Sequence, residues 1–207
     1  MLSTAKQNMS GYRKGTGRPG GAVREVYVAR TVHEDNPRLA KFLESFGRVL
    51  GSSATIFTLG STHLTFLESC GLTPHFRNHG YTPDDIRSFK VALELRLRNV
   101  FGRDEPAVAV DADAPLWLRG RNNSIAIRLA ADEGLAEERA EIEDFLARRF
   151  GELPDLRAFE PHITVGNLKR TPTADERRDP QLLLPEGLYV PGPIALNGLE
   201  AYLGRIQ

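Results

Sequence analysis

Two short stretches constrain this chain more than anything else in it. Ser61-Thr62-His63-Leu64-Thr65-Phe66 and Glu160-Pro161-His162-Ile163-Thr164-Val165 each set a His and a Thr two positions apart, with a large apolar residue between them. Residues i and i+2 of a β-strand point to the same face. Each stretch therefore reads as a strand that sends an imidazole and a hydroxyl to one side and buries Leu64 or Ile163 on the other. The histidines are 99 positions apart (162 − 63), so the fold has to join two strands remote in sequence. Side by side, they would form a cleft lined by two histidines and two threonines.

The pattern around these stretches supplies the other elements. Glu25 to Val32 alternates as a strand. Asn36-Pro37 reads as an N-cap with Pro at the first helical position; Leu39, Phe42, Leu43, Phe46, Val49 and Leu50 follow at helical spacing, and Gly51 closes the helix. An apolar, β-branched run from Thr55 to Leu67 holds the first motif. Gly71, Pro74 and Gly80 then mark a loop. Thr82-Pro83-Asp84-Asp85 opens a second helix that reaches Val100. Ala107 to Ala109, Leu116 to Leu118 and Ile125 to Leu129 read as strands, and Gly134 to Phe150 as a third helix. After the second motif a charged, proline-rich loop spans Lys169 to Pro193, and a last strand runs from Ile194 to Leu203.

This order predicts an α+β fold that is bilobal: two related halves, each supplying one motif, with antiparallel sheets facing across a central groove and helices on the outside. Residues 1–22 carry Lys6, Arg13, Lys14 and Arg18, five glycines and no acidic residue. Such a stretch buries too little to order itself and reads as a mobile basic tail, with a single domain over 23–207.

Lys plus Arg number 27 and so do Asp plus Glu. A net charge of zero argues against a protein that grips long nucleic-acid duplexes through a basic surface, and for a small anionic substrate held by a few local groups. The single cysteine, Cys70, leaves no disulfide framework, which fits a reducing cytoplasm. No apolar run is long enough to span a membrane.

Two histidines and two threonines in one cleft suit acid–base chemistry on a phosphodiester. Opening a cyclic diester needs a base to take a proton from water and an acid to protonate the departing sugar oxygen. Imidazole, with an ordinary pKa of about 6.5, serves either role near neutral pH. Threonine hydroxyls can donate to the non-bridging oxygens where charge develops. Which histidine plays which part stays open at this level.

His63-Leu64-Thr65-Phe66 and His162-Ile163-Thr164-Val165, with Pro161 before the second, resemble the paired His-x-Thr-x motifs of the 2H phosphoesterase superfamily, which includes 2′-5′ RNA ligase-like proteins and RNA 2′,3′-cyclic phosphodiesterases. The match in element order covers Glu25 to Ile206, and the specific match is confined to the motifs. The resemblance implies His63 and His162 as acid and base, Thr65 and Thr164 as phosphate-holding groups, no metal and no cofactor. It implies a phosphodiesterase that hydrolyses 2′,3′-cyclic phosphates on RNA ends or small nucleotides. Alternatives are 2′-5′ RNA ligation, cleavage of a cyclic nucleotide or oligonucleotide, and a non-catalytic module that binds RNA ends or nucleotides. A cytoplasmic monomer is the expectation.

Beyond the motifs, Phe76 and Tyr81 are candidates for stacking on a base, since both fall in the expected loop. Phe66 and Trp117 read as core. Arg119 and Arg121 flank a turn and are candidates for phosphate contact. His75 and His79 have the spacing of a zinc pair on a helix, but Pro74 and Gly80 bracket them, and the segment reads as a loop instead.

Overall fold

Alternating and β-branched runs pair here into an antiparallel sheet. In this computed structural model, which describes residues 23–67, 69–81, 83–101, 107–120, 123–151 and 158–206, the strands are β1 (Val23–Val32), β2 (Ala54–Ile56), β3 (His63–Leu67), β4 (Ala107–Val108), β5 (Leu116–Arg119), β6 (Ser124–Arg128), β7 (His162–Leu168) and β8 (Ile194–Ile206). Their order is β4-β8-β1-β3-β7-β6-β5, with β2 also on β7, and the pairings are antiparallel. The helices are α1 (Pro37–Leu50), α2 (Ser69–Asn78), α3 (Pro83–Phe101), α4 (Glu133–Phe150) and α5 (Ala174–Arg178). The expected α+β class holds. The two halves of the bilobal arrangement join along one edge of β7, which takes β2 and β3; the seam between the motif strands is the β3–β7 contact, where Leu64 pairs with Ile163. The basic stretch 1–22 lies outside the described residues, as does the side chain of Cys70.

One face of the sheet is apolar. Leu64, Ile163 and Ile127 form a cross-strand row, and all three are fully buried. Phe66, Val165 and Ile125 are buried with them, and the core includes Leu39, Phe42, Leu43 and Phe46 of α1 and Leu135, Ile142 and Leu146 of α4. Burial of this kind stabilises by roughly 1.5–3 kcal/mol per large side chain. An ion pair is set into the same side: Arg30 of β1 meets Glu138 of α4, with side chains 7% and 5% exposed and a closest approach of 2.7 Å. Arg30 also donates to the Asn197 carbonyl at 2.8 Å. Arg139 of α4 donates to the Phe66 carbonyl at 2.9 Å, so α4 is tied to the main chain of the first motif strand.

Three sequence expectations are corrected. Thr55 to Leu67 is not one strand. β2 and β3 both lie along the edge of β7, β2 against Gly166–Leu168 and β3 against Ile163, and a 3-10 turn at Leu59–Ser61 steps the chain between them. The Thr62 hydroxyl donates to the Leu59 carbonyl at 2.6 Å and holds that step. The expected loop after the first motif is largely α2, with Pro74 inside it. Burial of Leu72, Thr73, His75 and Phe76 on one side of the segment outweighs the cost of the proline. Gly80, at φ +68°, lets the chain close with Tyr81 N–H on the Phe76 carbonyl. The expected loop after the second motif contains α5, capped reciprocally by Thr173 and Glu176, and a 3-10 turn at Pro180–Leu183.

That last turn covers an edge. Gln181 Nε2 donates to the Leu116 carbonyl at 2.9 Å, and Leu116 N–H donates to Gln181 Oε1 at 3.1 Å. One side-chain amide thus replaces a missing strand beside β5. Asn36 does the same for Ala195, with both bonds at 3.0 Å; it stands at the N-cap of α1 with Pro37 next, as expected, while its side chain serves Ala195 and not the helix.

Candidate active site

The seam places the two motifs next to each other. With Leu64 opposite Ile163 and the strands antiparallel, His63 falls opposite Thr164, and Thr65 opposite His162. Opposed residues share a face. The pairings of β1, β6 and β5 extend this into two rows. One runs Thr31, His63, Thr164, Ala126, Trp117; the other runs Ala29, Thr65, His162, Arg128. Each row sets the histidine of one motif against the threonine of the other, on the face opposite Leu64, Ile163 and Ile127.

Both imidazoles are held the same way. His162 Nδ1 donates to the Glu160 carbonyl at 2.7 Å, and His63 hydrogen-bonds the Ser61 carbonyl. In each case the acceptor lies two residues upstream. Burial pushes the His63 pKa below its ordinary 6.5, and the Ser61 carbonyl opposes this more weakly. His162 is itself buried, with 7% of its surface exposed.

A cationic flank borders His162. Arg119 Nη1 lies 2.6 Å from His162 Nε2. Guanidinium only donates, so Nε2 accepts and the ring proton sits on Nδ1, toward Glu160. Trp117 meets the His162 ring edge-on, with centroids 5.7 Å apart, and the small Ala126 beside it in the row leaves room for the indole. The guanidiniums of Arg119 and Arg128 both stand over the Trp117 ring, at 4.5 and 4.9 Å from its centroid.

The structure gathers His63, His162, Thr65, Thr164 and Arg119 on one face. It does not bring Phe76 there. Phe76 is fully buried among Tyr81, Phe89 and Phe150, because it lies on the inner side of α2 and not in a loop. Tyr81 is half-buried in the same cluster and donates its hydroxyl to the Phe150 carbonyl at 3.2 Å. Arg121 lies outside the described residues. Phe66 is core as expected, stacked on Phe159. Trp117, read as core, is instead half-buried beside His162. Arg128 was missed; the signal in the sequence was its place three residues after Ile125 in an alternating strand, which fixes its face only once the register is known.

His75 lies in α2 and His79 in the turn directly after it, with ring centroids 4.3 Å apart. Burial and the neighbouring His79 hold the His75 pKa down. Among the described residues no group of three or more His, Cys, Asp or Glu side chains is placed to hold a metal ion. No described helix is long and apolar enough to cross a membrane.

No family model matches the sequence, and no curated protein sequence matches it. Solved structures do. The MHV ns2 PDE domain matches with a TM-score of 0.52 at 14% identity, over 86% of this chain and 96% of that one. TT0787 of Thermus thermophilus matches with a TM-score of 0.47 at 16% identity, over 86% of this chain and 84% of that one. The first of these carries the comparison of folds: this chain shares its architecture with the MHV ns2 PDE domain.

Proposed function

We propose that this protein is a phosphodiesterase that hydrolyses 2′,3′-cyclic phosphates, on RNA ends or nucleotides, by acid–base catalysis between His63 and His162. The observation that carries this reading is the alternation of the two motifs across the seam, His63 against Thr164 and Thr65 against His162. A phosphate centred over the seam would meet an imidazole from either side and a hydroxyl beside each.

His63, with its pKa lowered by burial, suits the base. It takes a proton from water as the water oxygen bonds to phosphorus. The phosphorus bond to one ribose oxygen breaks, and His162 supplies the proton that this oxygen needs. Thr65 and Thr164 donate to the non-bridging oxygens. Arg119 transfers its donor from His162 Nε2 to the phosphate, which frees that nitrogen to carry the acidic proton. The name of the PDE domain that shares the fold agrees with this class of reaction.

The test is hydrolysis of cyclic nucleotides and of RNA bearing a 2′,3′-cyclic end, in the presence of chelator, with His63→Ala and His162→Ala alongside. Each substitution is expected to lower the rate by about 10²–10⁴-fold. Undiminished turnover in both variants would remove the assignment, and binding without turnover by the unaltered protein would favour a non-catalytic module.

A further inference from the structure

We propose that Arg128, laid over Trp117, forms a second anion subsite that takes a phosphate of the substrate other than the one being cleaved. The inference rests on the phosphodiesterase reading and adds to it the charge of the preferred substrate. Arg128 is the cross-strand neighbour of His162, so its side chain leaves the sheet on the same face as the motifs. It is half-buried, and its guanidinium stands 4.9 Å from the Trp117 centroid.

Among the described residues, no carboxylate or other acceptor engages that guanidinium. Asp111 donates its amide N–H to the Arg128 carbonyl, yet Asp111 Oδ1 accepts from the N–H groups of Asp113 and Ala114. Arg119 occupies the other place over Trp117 and is already directed at His162. A guanidinium held over an aromatic ring, with its donors unused among the described residues, is preorganised for a phosphate. Its place beyond His162, on the side away from the seam, separates that phosphate from the reacting one. The substrate class is therefore a cyclic phosphodiester that carries at least one more phosphate.

Three ligands distinguish the sources of that phosphate: a 2′,3′-cyclic mononucleotide, the same compound with a 5′-phosphate, and a dinucleotide ending in a 2′,3′-cyclic phosphate. Arg128→Gln is expected to lower kcat/KM for the ligands with a second phosphate by about 10- to 100-fold more than for the plain mononucleotide, the worth of a charge-assisted hydrogen bond. The salt dependence of their binding should weaken by about 0.7 in log–log slope, one phosphate contact on a single strand. A loss confined to the dinucleotide identifies an internucleotide phosphate; a loss on both identifies any nearby phosphate. Equal effects on all three ligands overturn the subsite. Calorimetric binding of the corresponding 2′- and 3′-monophosphates repeats the comparison without turnover, so it decides the subsite even if the His63→Ala and His162→Ala experiment overturns the reaction.

Discussion

Each motif imidazole is held by a main-chain carbonyl two residues before it, Ser61 for His63 and Glu160 for His162. This local bond fixes the tautomer of His162, with its proton on Nδ1 and its Nε2 turned toward Arg119. The surroundings then make the two rings unequal. Burial lowers the His63 pKa from 6.5, so His63 stays neutral to a lower pH than a free imidazole. A base must be neutral to act. The rate should therefore fall as the pH drops through the lowered value, and the acid limb of a kcat/KM profile should have its midpoint below 6.5. A midpoint above 6.5 would assign the base role elsewhere. The motif residues were legible in the sequence because a period of two fixes which side chains share a face. The Arg119 contact was legible only as a candidate, and Arg128 was not, because cross-strand neighbours depend on a register that no local pattern states.

Among the elements, β7 has the most to accommodate: β6 on one edge, and both β2 and β3 on the other. Gly166 makes the β2 contact possible. A Cβ there would come within 2.5 Å of the Thr55 carbonyl oxygen and 2.8 Å of Ile56 Cδ1. Gly166→Ala should push β2 off the strand and destabilise the protein by about 1–3 kcal/mol, read from the urea midpoint. Helices α1, α3 and α4 were plain in the sequence from their apolar spacing. Helix α2 was hidden by Gly71 and Pro74, which mark a loop locally but are overruled by the burial of Leu72 and Phe76. The covering of β5 by Gln181 was equally hidden, since a single glutamine in a charged loop carries no pattern.

At the scale of the whole molecule, the Arg30–Glu138 pair links β1 in the first half to α4 in the second. Burial pushes the Glu138 carboxyl pKa up, against the pull of Arg30. Glu138→Ala would leave the Arg30 charge buried without its partner. The expected cost is about 3–5 kcal/mol, measured by chemical denaturation, with the fluorescence of the single tryptophan and the helical signal lost together. Separate transitions would show that the halves unfold independently. The sequence announced two related halves through its motifs, yet not this linkage, because an arginine and a glutamate 108 positions apart have nothing in their spacing to mark them as partners.

The alternation across the seam has a consequence for direction. A diester turned end for end would encounter an identical quartet of groups in an identical sequence, so the motifs by themselves are blind to polarity. What breaks the symmetry is the surroundings of the motifs: the burial of His63, and the guanidinium side beyond His162 against the Thr31 side beyond His63. If the proposed function holds, the orientation of a bound diester would be governed by these margins and not by the order of the four motif groups.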